Sequence, residues 1–97
     1  MRTLVKITIP VDPGNDAIKS GTLPNILTRA LEELKPEAAY FLAENGVRTA
    51  MLVIDLKEPS DIPAIAERFF QGFSAAVSFT PVMNADDLEK GLSKIST

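Results

Sequence analysis

The chain contains no cysteine, no histidine and no tryptophan. Without His or Cys it cannot build a Ser-His-Asp triad, a Cys-His nucleophile or an ordinary zinc site. A haem would lack its usual His or Cys axial ligand. The lack of cysteine also removes any disulfide framework. Glycine is sparse and scattered, with 5 residues, so no Gly-rich loop is available to cradle a phosphate. Uninterrupted apolar runs such as Ala50 to Ile54 are far too short to span a bilayer. Net charge is −3, with both signs interspersed. No basic stripe tracks a phosphate backbone, which argues against nucleic-acid binding. The stretch Met1 to Pro10 has neither the sustained apolar core nor the small-residue cleavage site of a signal peptide, so a cytoplasmic protein is expected.

What remains is an ordinary globular composition. The 97 residues are 45% hydrophobic and 24% charged, enough for one domain with a modest core, 1–97. Val5, Ile7 and Ile9 alternate with Leu4, Lys6 and Thr8, which predicts a strand ended by Pro10. The segment from Asp12 to Asp16 reads as turn-rich, with a short helical turn over Ala17 to Lys19 broken at Ser20-Gly21. Thr22 is the expected N-cap of a helix in which Leu23, Ile26, Leu27, Ala30, Leu31 and Leu34 keep helical spacing up to Lys35-Pro36.

Tyr40 to Asp55 is the most informative stretch. Asn45-Gly46 is the preferred pair for a two-residue type I′ turn, where both residues need φ > 0. The turn sets a hairpin over residues 38–56 and its register. Leu42 then opposes Thr49, Tyr40 opposes Met51 and Ala38 opposes Val53 on one face. Phe41 with Ala50 and Ala39 with Leu52 lie on the other. Ser60 is the expected cap of a second helix with Ile62, Ile65, Ala66, Phe69 and Phe70 on one face and Gly72 as its stop. Phe73 to Thr80 reads as a fourth strand, and Asn84 caps a last helix with a thin stripe of Leu88, Leu92 and Ile95.

The resulting order, β-α-β-β-α-β-α, predicts an α+β ferredoxin-like sandwich. Right-handed crossovers put the four antiparallel strands in the order 4-1-3-2. Val5, Ile7, Ile9, Ala75, Val77 and Phe79 join the second hairpin set beneath the helices. The opposite face carries Leu4, Lys6, Thr8, Ala38, Tyr40, Leu42, Thr49, Met51, Val53, Asp55, Ala76, Ser78 and Thr80. Left open, that face is large for a soluble monomer.

A ferredoxin-like unit with a half-apolar free face resembles the dimeric α/β-barrel superfamily. The stretches Gly14 to Pro24, Lys35 to Phe41 and Thr80 to Leu88 are also similar to a family of small, uncharacterised bacterial proteins. The superfamily resemblance implies a homodimer whose two sheets face each other around a cleft for a small apolar or amphipathic molecule. Its members that use Trp or His for oxygenation, or His for haem, have no counterpart residues here, so no cofactor and no metal is expected.

The candidate ligand-binding residues are Lys6, Thr8, Tyr40, Met51, Asp55 and Ser78. Lys6 and Asp55, on adjacent antiparallel strands, are expected to face each other. Held in a cleft, Asp55 could act as a base while Tyr40 or Lys6 polarises a carbonyl, as in a cofactor-independent isomerase or monooxygenase. The favoured reading of the same residues is a structural ion pair at a dimer interface. Asp12, Asn15 and Asp16 offer oxygens for a hard cation but read better as helix-start residues. Arg29 and Arg48 read as surface charge, and Phe69, Phe70 and Phe73 as core. Function is thus expected to be that of a homodimeric small-ligand-binding or accessory protein, with the enzyme as the alternative.

Overall fold

A computed structural model describes residues 1–95. It contains β1 (Arg2–Ile9), α1 (Val11–Ser20), α2 (Thr22–Leu34), β2 (Ala38–Glu44), β3 (Val47–Asp55), α3 (Ile62–Phe73), β4 (Ala76–Pro81) and α4 (Ala85–Ser93), with a single 3₁₀ turn at Pro59–Asp61 before α3. The strands form one antiparallel sheet in the order β2-β3-β1-β4, the expected order read from its other edge.

The hairpin register is the predicted one. Tyr40 pairs with Met51, Leu42 with Thr49 and Ala38 with Val53. Asn45 and Gly46 both take positive φ, 55° and 76°, as a type I′ turn requires. Strand alternation sends Val5, Ile7, Ile9, Ala50, Leu52, Ile54 and Ala75 to one face. There they form a single buried cluster with Ala17, Leu23 and Ala30 of α1 and α2 and with Ile65, Phe69 and Phe73 of α3. Val5, Ile7, Leu52 and Phe69 are wholly buried, each contributing about 1.5–3 kcal/mol of transfer free energy. Phe69 and Phe73 meet with ring centroids 6.0 Å apart at a tilt of 53°, within the favourable range for aromatic pairs.

Several local expectations need correction. Residues 11–20 form a full helix, not a turn-rich segment. Pro13 falls in the first helical turn, where its missing N–H has no intrahelical role. Gly14 lets the helix sit close to the sheet, since a Cβ there would lie 2.7 Å from Arg48 Nη1 and 3.0 Å from Ile9 Cγ2. Gly21, at φ 82°, ends α1 with its N–H on the Ile18 carbonyl and also precedes α2 as its N-cap. Thr22 is therefore the first helical residue and not the cap. Ser60 is not a cap either. It lies in the 3₁₀ turn, and Asp61 occupies the N-cap position without a side-chain bond.

Gly72 does not stop α3. The left-handed residue is Ser74, at φ 56°, and its N–H bonds back to Phe70 and Phe69 carbonyls. Gly72 is inside the helix for packing: a Cβ would stand 2.4 Å from Ile26 Cδ1 of α2. Phe73 accordingly belongs to α3, and β4 starts only at Ala76. Two aromatic residues assigned to the core are exposed. Phe70 points outward because Phe69 and Phe73 take the buried positions of the last turn, and Phe41 lies on the helix side of edge strand β2, beyond the cover of α2. The Asn84 cap is as expected and forms a full capping box, its Oδ1 accepting from the Asp87 N–H at 2.8 Å while Asp87 Oδ2 accepts from the Asn84 N–H at 3.2 Å.

Candidate functional site

Side chains on the sheet face opposite α1–α3 stand in cross-strand rows. The central row runs Tyr40, Met51, Lys6, Ser78 across β2, β3, β1 and β4. The row toward the Asn45-Gly46 turn is Leu42, Thr49, Thr8, Ala76, and the row on the other side is Ala38, Val53, Leu4, Thr80. Five of the six candidate residues, Lys6, Thr8, Tyr40, Met51 and Ser78, thus fall in two neighbouring rows. Tyr40 and Ser78 are exposed, whereas Lys6, Thr8 and Met51 are half-buried.

Asp55 is on the same face but does not meet Lys6. The β1–β3 register opposes Arg2 to Asp55 and Lys6 to Met51. Four residues along a strand correspond to about 13 Å. Asp55 Oδ1 accepts from the amino group of Met1 at 2.7 Å and Oδ2 from Lys57 Nζ at 3.0 Å. The Met1 amine, and then Lys57, pull its carboxyl down to about 2. A carboxylate so stabilised is a poor general base near neutrality. The expectation of a facing Lys6–Asp55 pair fails because antiparallel adjacency leaves the register open, and the register was not derivable without a short turn between β1 and β3.

Lys6 instead pairs with Glu44, which is not among the candidate residues. Glu44 shares the parity of Tyr40 and Leu42 along β2, and that was the available signal. The ion pair runs diagonally over the middle strand. Its start is in the row of Met51 and its end in the row of Val47, so Thr49 lies at the midpoint on β3. Thr49 is 4% exposed although α1–α3 lie on the other side of the sheet. Its hydroxyl donates to the Val47 carbonyl at 3.0 Å, which satisfies the buried oxygen.

Arg2 is a second residue absent from the candidate set. Its Nε donates to Glu37 Oε1 at 2.6 Å and its Nη1 to Asp87 Oδ2 at 2.9 Å, so it joins β1 to the residue before β2 and to the first turn of α4. Arg48 is structural. It donates to Asn15 Oδ1 at 2.9 Å and holds β3 to α1. Asn15 is thereby engaged, and no acidic cluster suited to a metal ion occurs among the described residues.

An apolar groove of about 240 Å³ follows edge strand β2, lined on the helix side by Ile9, Leu23, Leu27, Phe41, Arg48 and Ala50 and reaching Leu42 and Thr49. Among the described residues no helix is long and apolar enough to cross a membrane. Comparison with protein-family models, curated proteins and solved structures yields no match to this chain.

Proposed function

We propose that the protein is a homodimeric binding or accessory protein that holds a small apolar or amphipathic molecule between two facing sheets, in the manner of a dimeric α/β barrel. The central row of the open face carries this reading: an exposed aromatic ring and a thioether at Tyr40 and Met51 stand beside Lys6 and Ser78. Such a surface offers apolar area together with a few polar anchors, the combination that small-ligand sites use. Thr8 extends the polar part, and Leu42 and Val53 extend the apolar part. The resemblance of three stretches to small bacterial proteins extends the same reading to a bacterial, cytoplasmic protein. Isomerase or monooxygenase chemistry through Lys6, Tyr40 and Asp55 is the weaker reading, because Asp55 is held at the sheet's end by Met1 and Lys57.

Tyr40 is the single tyrosine of a chain without tryptophan, so its fluorescence reports directly on this face. Sedimentation of the wild type is expected to show a dimer, with Tyr40 emission changing on dilution and on titration with dodecanoate. Met51→Asp places an unpaired charge in the contact and is expected to abolish the facing-sheet association and the dodecanoate response. A wild type that stays monomeric at high micromolar concentration refutes the facing-sheet dimer.

A further inference from the structure

We infer that the free edge of β2 pairs antiparallel with β2 of a second copy, in a register centred on Phe41, to make one continuous eight-stranded sheet. This contact uses a strand edge and is independent of the facing-sheet reading above.

The two edges of the sheet differ. β4 ends on Pro81, a residue that blunts an edge against pairing. β2, with the sequence AAYFLAE, has no proline and no lysine, and its one charge, Glu44, is engaged by Lys6. Tyr40, Phe41 and Leu42 are 69%, 56% and 40% exposed along it. A facing-sheet contact would cover Tyr40 and Leu42 but not Phe41, which lies on the opposite side of the strand.

Backbone geometry selects the register. In the Glu44-Asn45-Gly46-Val47 turn, residues 44 and 47 form a hydrogen-bonded pair, because a β-turn bonds the first carbonyl to the fourth N–H. Hydrogen-bonded and non-bonded pairs then alternate down the hairpin. The backbone groups of Leu42 and Tyr40 therefore turn inward to β3, and those of Ala43, Phe41 and Ala39 turn outward to the free edge. In a two-fold pairing centred on Phe41, Phe41 meets Phe41 of the second copy and Ala39 meets Ala43. All three outward residues then find a partner, whereas a shift by two residues in either direction leaves one unmatched within the strand. The same register sets Tyr40 against Leu42 on the open face, a favourable aromatic–aliphatic cross-strand pair. It sets Glu44 against Ala38, so no like charges oppose each other. On the helix side the Phe41 rings meet at the mouth of the apolar groove lined by Leu23 and Leu27.

The surface available is modest. An aromatic side chain buries about 150–250 Å², so Tyr40 and Phe41 together supply roughly 200–300 Å² per copy against about 800 Å² in a standard interface. The pairing is accordingly weak and concentration-dependent.

The chain's lack of cysteine makes the test direct. Opposed residues in a hydrogen-bonded antiparallel pair have Cα atoms about 5.5 Å apart, within disulfide range. Under mild oxidation, Phe41→Cys is expected to give a covalent dimer at least tenfold faster than Lys19→Cys, whose site on α1 sets the collision rate. Ala39→Cys and Ala43→Cys should each cross-link slowly alone and rapidly when mixed. Ala43→Pro removes only an outward N–H and should shift sedimentation toward the smaller species with an unchanged far-ultraviolet circular dichroism spectrum. Met51→Asp should leave the Phe41→Cys cross-link intact, which separates this contact from the facing-sheet dimer. A Phe41→Cys rate no higher than that of Lys19→Cys, or Ala39→Cys cross-linking alone as fast as in the mixture, overturns the proposal.

Discussion

Single residues on the open face show how polar groups become structural once strand register assigns their neighbours. Lys6 spans the middle strand to reach Glu44, across the position of Thr49, which bonds its own strand's backbone. Asp55 is held at the sheet's end by the Met1 amine and Lys57. Its lowered carboxyl value fixes the sign of a pH effect. Unfolded Asp titrates near about 3.9, and the folded group near about 2. The stabilisation from this group is therefore full above roughly pH 4 and is lost as pH falls through the folded value. Carboxyl titration by NMR should place Asp55 close to 2, and acetylation of the Met1 amine should raise it toward the ordinary value. An Asp55 that titrates near 4 with the amine free would contradict the observed contact.

At the level of elements, two glycines do different work. Gly46 supplies a positive φ of 76° with open space around its α-carbon. Gly46→Ala therefore costs backbone strain alone, about 1–2 kcal/mol for an L-residue held in the left-handed region. Urea denaturation should show that loss with an unchanged slope. Gly72 is favoured by proximity, since α2 and α3 meet there at Ile26. The obstructing atom is the end of a half-buried side chain, and alanine is the better helix former by roughly 0.5–1 kcal/mol. Gly72→Ala should hence lie within about 1 kcal/mol of wild type. Combined with Ile26→Val, which removes the obstructing methyl, it should be more stable than Ile26→Val alone. A double mutant no more stable than that single mutant would show that the close approach of α2 and α3 does not explain Gly72.

Across the whole molecule the shape is elongated. The Cα radius of gyration is 15.5 Å and the extents are 57 × 28 × 17 Å, whereas a compact chain of a hundred residues has a radius near about 13 Å. α4 has no buried residue, and Leu88, Leu92 and Ile95 are all exposed. A nine-residue helix is marginal on its own in water, as isolated helices shorter than about 12–15 residues are. Its capping box and the Arg2–Asp87 ion pair at 2.9 Å set its start. Arg2→Ala should raise amide exchange throughout residues 85–93 without changing exchange in β1 and β3. Unchanged exchange in α4 would show that the ion pair does not order it.

Sequence alone determined the elements whose cause is local. Alternation in β1, helical spacing in α2 and α3, the Asn84 cap and the Asn45-Gly46 turn each act within a few residues, so the hairpin register and the sheet order followed from them. Most of the candidate face was legible for the same reason: once a two-residue turn sets the register, parity assigns Tyr40, Met51 and Thr49 together. Tertiary structure decided the rest. The α1 helix depends on Gly14 fitting beneath Arg48, and the end of α3 depends on Phe73 filling the core. The partners of Lys6 and Asp55 depend on how β1 slides against β3 across a long connection. The exposure of Phe41 depends on where α2 ends its cover. Each of these is set by contacts between residues far apart in the chain, which local periodicity does not encode.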